Sequence, residues 1–133
     1  MAAQPMFPGL IQTHVISISD LDGTTLKTLV SGGTNGTRID TISATSTDTV
    51  DATLALYHSD GTTDFLIGTI TIPANSGNDG NTPSFSVLND TDLPFLRSDL
   101  AHYVQAGHSL KVGVTVALSA STKIDLVAIC GDY

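Results

Sequence analysis

Residues 109–119 read SLKVGVTVALS, and in this stretch Leu110, Val112, Val114, Val116 and Leu118 alternate with Lys111, Gly113, Thr115 and Ala117. A two-residue apolar period is the signature of a strand with one face on a core. After the polar turn Ser119–Thr122, Ile124, Leu126, Ala128 and Cys130 alternate again, which predicts an antiparallel hairpin partner. The opposite positions of that partner, Val127 and Ile129, are also apolar, so it is expected to be buried on both faces.

The same reading extends upstream. Leu54, Leu56 and His58 lead into Asp60-Gly61, and Leu66, Gly68, Ile70 and Ile72 follow on one face, which predicts a second hairpin. Further strands are expected at 13–19, 26–30, 38–46 and 84–88, separated by SGGTNGT and by the polar loop 74–83. Asn35-Gly36 is a strong hairpin-turn signal between two of them. The fold class is therefore all-β: an antiparallel two-sheet sandwich of about eight strands, jelly-roll-like. One short helical turn is expected from Ser98, as its cap, to Gln105, ended by Gly107.

Composition agrees. All 13 acidic residues of the 133 are Asp and none is Glu, against 5 Lys plus Arg, in a chain rich in Thr, Ser and Gly. These residues favour strands and turns over helices. The net charge of −8 argues against nucleic acid, whose backbone is bound by Lys and Arg. No apolar run is long enough for a membrane helix, and MAAQPMFPGLIQ lacks the basic start and sustained apolar stretch of a secretory signal. Cys130, the single cysteine, reads as a small buried hydrophobe.

Two sets of residues are candidates for chemistry. Asp20-Leu21-Asp22-Gly23-Thr24 resembles the nucleophile motif of the haloacid dehalogenase superfamily, which implies Asp20 as nucleophile and Asp22 as general acid/base of a Mg²⁺-dependent phosphatase. That chemistry needs a buried parallel strand before the motif and a helix after it. Here Ile16 and Ile18 alternate with Ser17 and Ser19, and TTLKTLVSGG follows, so the motif reads as a tight turn with Gly23 at positive φ. An EF-hand reading fails because the closing Glu is missing, although a surface Ca²⁺ site built on Asp20, Asp22 and a distant Asp stays open. Histidines 14, 58, 102 and 108 are dispersed, with no pair at metal-ligand spacing, and no Gly-x-Ser-x-Gly elbow is present. No catalytic, metal-binding or cofactor-binding residue is assigned, and the protein is expected not to be an enzyme.

What remains is apolar surface. The chain divides into an extended N-terminal arm, 1–11, and a single β-sandwich domain, 12–133. In the arm, which also carries Pro8, the residues Met6, Phe7, Leu10 and Ile11 are costly to leave in water, and Pro5 and Pro8 keep it from joining a central strand or a helix. Together with the bend Leu93, Pro94, Phe95 and Leu96 they form the candidate partner-binding set.

The run GTNGTRIDTISATSTDTVDATLALYHSDGTTDFLIGTITIP, followed by AGHSLKVGVTVAL and a Gly131-Asp132-Tyr133 terminus, is similar to the capsid decoration (cement) proteins of tailed bacteriophages. The resemblance spans roughly residues 32–133. It implies a non-enzymatic virion protein that is assembled in the host cytoplasm and binds the major capsid protein on the capsid exterior, itself often as a trimer. The alternative is a phage tail or fibre module that binds host-surface glycan. Glycan sites on sandwiches usually offer aromatic platforms, and this chain has no Trp and only Tyr57, Tyr103 and Tyr133.

Overall fold

The computed structural model describes residues 8–96 and 100–133. Nine strands make two antiparallel sheets, and the described helical structure is a single 3₁₀ turn at Asp20–Asp22. The strands are β1 (Leu10–Ser19), β2 (Lys27–Ser31), β3 (Thr37–Ser46), β4 (Ala52–Ser59), β5 (Asp64–Ile72), β6 (Phe85–Ser86), β7 (His102–Val104), β8 (Ser109–Val114) and β9 (Lys123–Asp132).

Sheet A runs β1-β9-β3-β6, with β7 also on β3, and sheet B runs β2-β8-β4-β5. If β6 and β7 together count as one strand, this is the eight-strand jelly-roll order of two interlocked Greek keys. β6 lies against Ser43 and Ala44, and β7 against Thr37–Ile39, so the two short strands share one edge of β3. The inward rows interdigitate between the sheets as alternation dictates. Ile18, Ile39, Ile42, Ile124 and Leu126 from sheet A, and Leu54, Leu56, Ile70, Leu110 and Val112 from sheet B, are all buried.

Three expectations need correction. First, the strands at 109–114 and 123–132 are not a hairpin: β8 lies between β2 and β4 in sheet B, whereas β9 lies between β1 and β3 in sheet A. β8 ends at Val114, Val116 is 75% exposed, and the chain crosses between sheets through 115–122. Asn35-Gly36 is likewise a crossing between sheets, since β2 pairs with β8 and not with β3. Second, the helical turn expected at 98–105 is absent where it can be seen, because β7 occupies His102–Val104, while 97–99 lie outside the described residues. Third, β9 is not buried on both faces: Val127 and Ile129 are 37% and 47% exposed.

Asp48 ties the crossings together. Its buried carboxylate accepts hydrogen bonds from the Ser119 amide at 3.1 Å, the Ser119 hydroxyl at 2.8 Å and the Val50 amide at 3.1 Å, so the β3–β4 and β8–β9 connections share one acceptor. Burial alone would raise its pKa, but these donors outweigh burial and hold it below the usual carboxylate value.

Candidate functional site

In β1 the positions Ile11, Thr13, Val15 and Ser17 point away from the core, as do Val127 and Ile129 in β9. Antiparallel register sets Val15 directly opposite Val127 and Thr13 opposite Ile129, and on the other side of β9 Ile129 faces Thr41 and Val127 faces Ser43. The outer surface of sheet A therefore carries a band of β-branched side chains, with Ile11 83% and Val15 67% exposed. β1 is also the edge strand of sheet A, so one side of its backbone has no strand partner among the described residues.

The sequence-derived binding residues divide. Met6 and Phe7 lie outside the described residues. Pro8 is half-buried on the protein's own domain, where its ring rests on the Cα of Gly131 in a place that a Cβ would fill, and the Gly9 amide donates to the Asp132 carbonyl at 2.9 Å. Leu10 and Ile11 do not belong to a separate arm, because they are the first residues of β1. In the bend, Leu93 and Leu96 are withdrawn into the core, and Leu93 covers Gly68, where an added Cβ would come within 2.5 Å of its Cδ2. Pro94 and Phe95 stay exposed. Sequence reading missed the outer row of β9, whose signal was its apolar off-face positions.

The Asp20-Leu21-Asp22-Gly23 motif is a turn. The Asp22 carboxylate accepts the Ser19 amide at 2.7 Å and pairs with Lys27 at 2.9 Å, while Gly23 has φ of +59°. The Ser19 amide, and then Lys27, lower the Asp22 pKa. A carboxylate held in this way is occupied with local structure.

The histidines are less dispersed than their spacing suggests. His58 on β4 places Nδ1 3.2 Å from His102 Nε2 on β7, and Nε2 2.9 Å from His108 Nδ1 in the turn before β8. Because His58 spends its two ring nitrogens on different partners, the rings form a chain and not a common ligand set. No group of three His, Cys, Asp or Glu among the described residues has metal-holding geometry. Burial, and then the neighbouring His58, bring the His102 pKa down to about 4. His58 is lowered by burial and by His108, with partial opposition from Asp60. Phe95 stands edge-on to His102 with ring centroids 6.1 Å apart, and with Leu96, Ala101 and Tyr103 the pair lines a shallow hollow. Cys130 is buried, and burial, then Asp132 and Asp40, push its thiol up to about 11.

No family model matches the chain, and no curated protein does. Among solved structures, a chain of the "Cyanophage Pam1 capsid asymmetric unit" aligns over 100% of this chain and 92% of its own length, at 14% identity and a TM-score of 0.48. That likeness is too distant to assign a function, which is argued from the molecule's own surface.

Proposed function

We propose that this chain is a non-enzymatic structural protein of a tailed-phage virion, a decoration or cement protein that docks as an oligomer, a trimer in the simplest case, on the outside of the head by contacting the major capsid protein. The observation that carries the reading is the apolar band of sheet A left exposed among the described residues, formed by Ile11, Val15, Val127 and Ile129 beside the edge of β1 that has no strand partner among them. Side chains of this size contribute roughly 1.5–3 kcal/mol each when fully buried, before ordering costs, which is a reason for such a band to have a partner. The sequence resemblance to decoration proteins supplies the partner class. The net charge of −8 suits a protein that faces away from packaged DNA.

The test is co-sedimentation of the purified chain with heads assembled from the major capsid protein of the same phage, together with sedimentation of the chain alone. Wild type is expected to bind and to oligomerise, whereas V15D/I129D stays folded and loses at least one of the two. Equal binding and equal assembly by the variant would sink the reading. One observation favours the glycan-binding alternative: Phe95 and Tyr103 are each about half exposed beside the hollow, and aromatic faces stack on sugars. A glycan array on which wild type binds and Tyr103→Ala does not would move the assignment there.

A further inference from the structure

β1 is ten residues long and pairs with β9 without a register shift, from Leu10 opposite Asp132 to Ser19 opposite Lys123. The other sheet margins are interrupted. β2 has five residues and its register against β8 shifts between Thr28 and Val30, β5 meets a shift between Leu56 and Tyr57 of β4, and β6 and β7 have two and three residues. A long, regular edge accepts another strand more readily than a short or bulged one. The sequence of β1, LIQTHVISIS, contains no Asp, Glu, Lys, Arg or Pro, the residues that usually guard such an edge. In a chain of net charge −8, this is a margin that two copies can bring together without opposing like charges.

The backbone pattern shows which groups that margin offers. Hydrogen-bonded and non-hydrogen-bonded pairs alternate along an antiparallel ladder. The Asp20 amide donates to the Thr122 carbonyl at 3.2 Å, in register with the β1–β9 pairs, so the even-numbered residues of β1 spend their backbone groups on β9. Ile11, Thr13, Val15 and Ser17 therefore aim their amides and carbonyls at the open edge, which has no strand partner among the described residues. One of these groups is taken. The Ser17 carbonyl accepts the Lys27 ammonium at 2.7 Å, and Asp22 holds that ammonium in place at 2.9 Å. The usable edge is thus Ile11 to Val15.

We propose that this edge pairs with the same edge of a second copy of the chain, antiparallel about a two-fold axis through Thr13. Opposed residues of two paired strands lie on the same face, so residues that point outward must meet residues that point outward. Ser17, capped by Lys27, must stay outside the ladder. The longest symmetric ladder that meets both conditions sets Thr13 opposite Thr13 of the second copy and Ile11 opposite its Val15, with every opposed pair exchanging both of its backbone hydrogen bonds. All of these side chains are β-branched, and such pairs stabilise antiparallel sheets. On the outer face the row Ser43–Val127–Val15 then continues into Ile11 of the second copy, and Ile129–Thr13 continues into its Thr13 and Ile129. Pairing through the backbone edge leaves the two apolar bands side by side as one wider band. An isologous contact closes at two copies, so within a threefold assembly it joins copies of neighbouring trimers and not copies of one trimer. It needs no capsid and does not depend on the identity of any other partner.

Sedimentation equilibrium of the purified full chain across a concentration series tests this, and a reversible dimer is expected. In the dimer the amides of Ile11, Thr13 and Val15 should be protected from hydrogen exchange, with the protection lost on dilution to the monomer. Thr13→Pro removes the amide at the axis without touching a bond to β9, and should sediment as a monomer with its melting midpoint little changed. Because that variant could fail to fold, Thr13→Lys and Thr13→Asp give a second reading. Each sets like charges opposite one another and should be monomeric alone, whereas an equimolar mixture should recover the dimer, about tenfold tighter than either variant by itself. Dimerisation without head binding would uphold the pairing and count only against the capsid reading. A chain that stays monomeric, an oligomer that Thr13→Pro and the charge variants leave intact, or protection of those amides that persists in the monomer, as residues 1–7 lying along the same edge would give, would each overturn the proposal.

Discussion

Asp48 is the residue on which the two crossings depend most. Asp48→Ala leaves the Ser119 amide, the Ser119 hydroxyl and the Val50 amide, all only partly buried, without their acceptor, and should destabilise the fold by about 1–2 kcal/mol, read from urea unfolding. Because its folded pKa is depressed, its contribution is complete above the unfolded carboxylate value and is lost as pH falls through the folded one, so the gap between wild type and Asp48→Ala should narrow in strong acid. Asp20 is the contrasting case. Asp22, not Asp20, holds the turn through Ser19 and Lys27, so Asp20→Asn should leave the melting midpoint within experimental scatter and abolish no phosphatase activity; loss of a Mg²⁺-dependent activity would restore the dehalogenase-type reading. The turn character of this motif was legible from Gly23 and from the Ile/Ser alternation before it. The histidine chain was not, since its members lie 44 and 50 residues apart and meet only through topology.

Strand existence was legible because burial of one face imprints a two-residue period, as at 110–114 and 124–130. Strand pairing was not. The short polar link Ser119–Thr122 looks like a hairpin turn, yet sheet order gives β8 and β9 to opposite sheets, and nothing local to β9 announces that its neighbours are β1 and β3. The same gap hid the candidate surface: Val127 and Ile129 are equally apolar whether a layer covers them or not. The pairing can be checked on the exposed face, where Val15 and Val127 sit directly opposite. In V15C/V127C, mild oxidation should close a disulfide within the monomer, because opposed antiparallel residues lie about 4.5–5.5 Å apart at Cα. Buried Cys130, with its raised thiol pKa, should not compete. A failure of the monomer to cross-link would contradict the placement of β9 beside β1.

At the scale of the whole molecule, the two-sheet core and its net charge followed from composition and alternation, whereas the extent of the N-terminal arm did not. Pro8 is seated on Gly131 and β1 begins at Leu10, so the pattern of prolines overstated how much of that segment stands apart. Gly131→Val should displace Pro8 and raise hydrogen exchange at Gly9 and Leu10 without unfolding the core, and unchanged protection there would refute the seating. The position of β9 has a kinetic side. It is an interior strand of sheet A, between β1 and β3, and follows the other eight in sequence, so Leu10 must wait for Asp132, and β3 for the same strand, before sheet A can close. Closing such large loops before any contact compensates them gives a high barrier, and refolding is expected on the millisecond-to-second scale of strand-rich domains with distant pairings. During synthesis, β1 and β3 emerge with the slot between them empty, so a nascent chain halted before Lys123 is the form of this protein most prone to capture a strand from another copy.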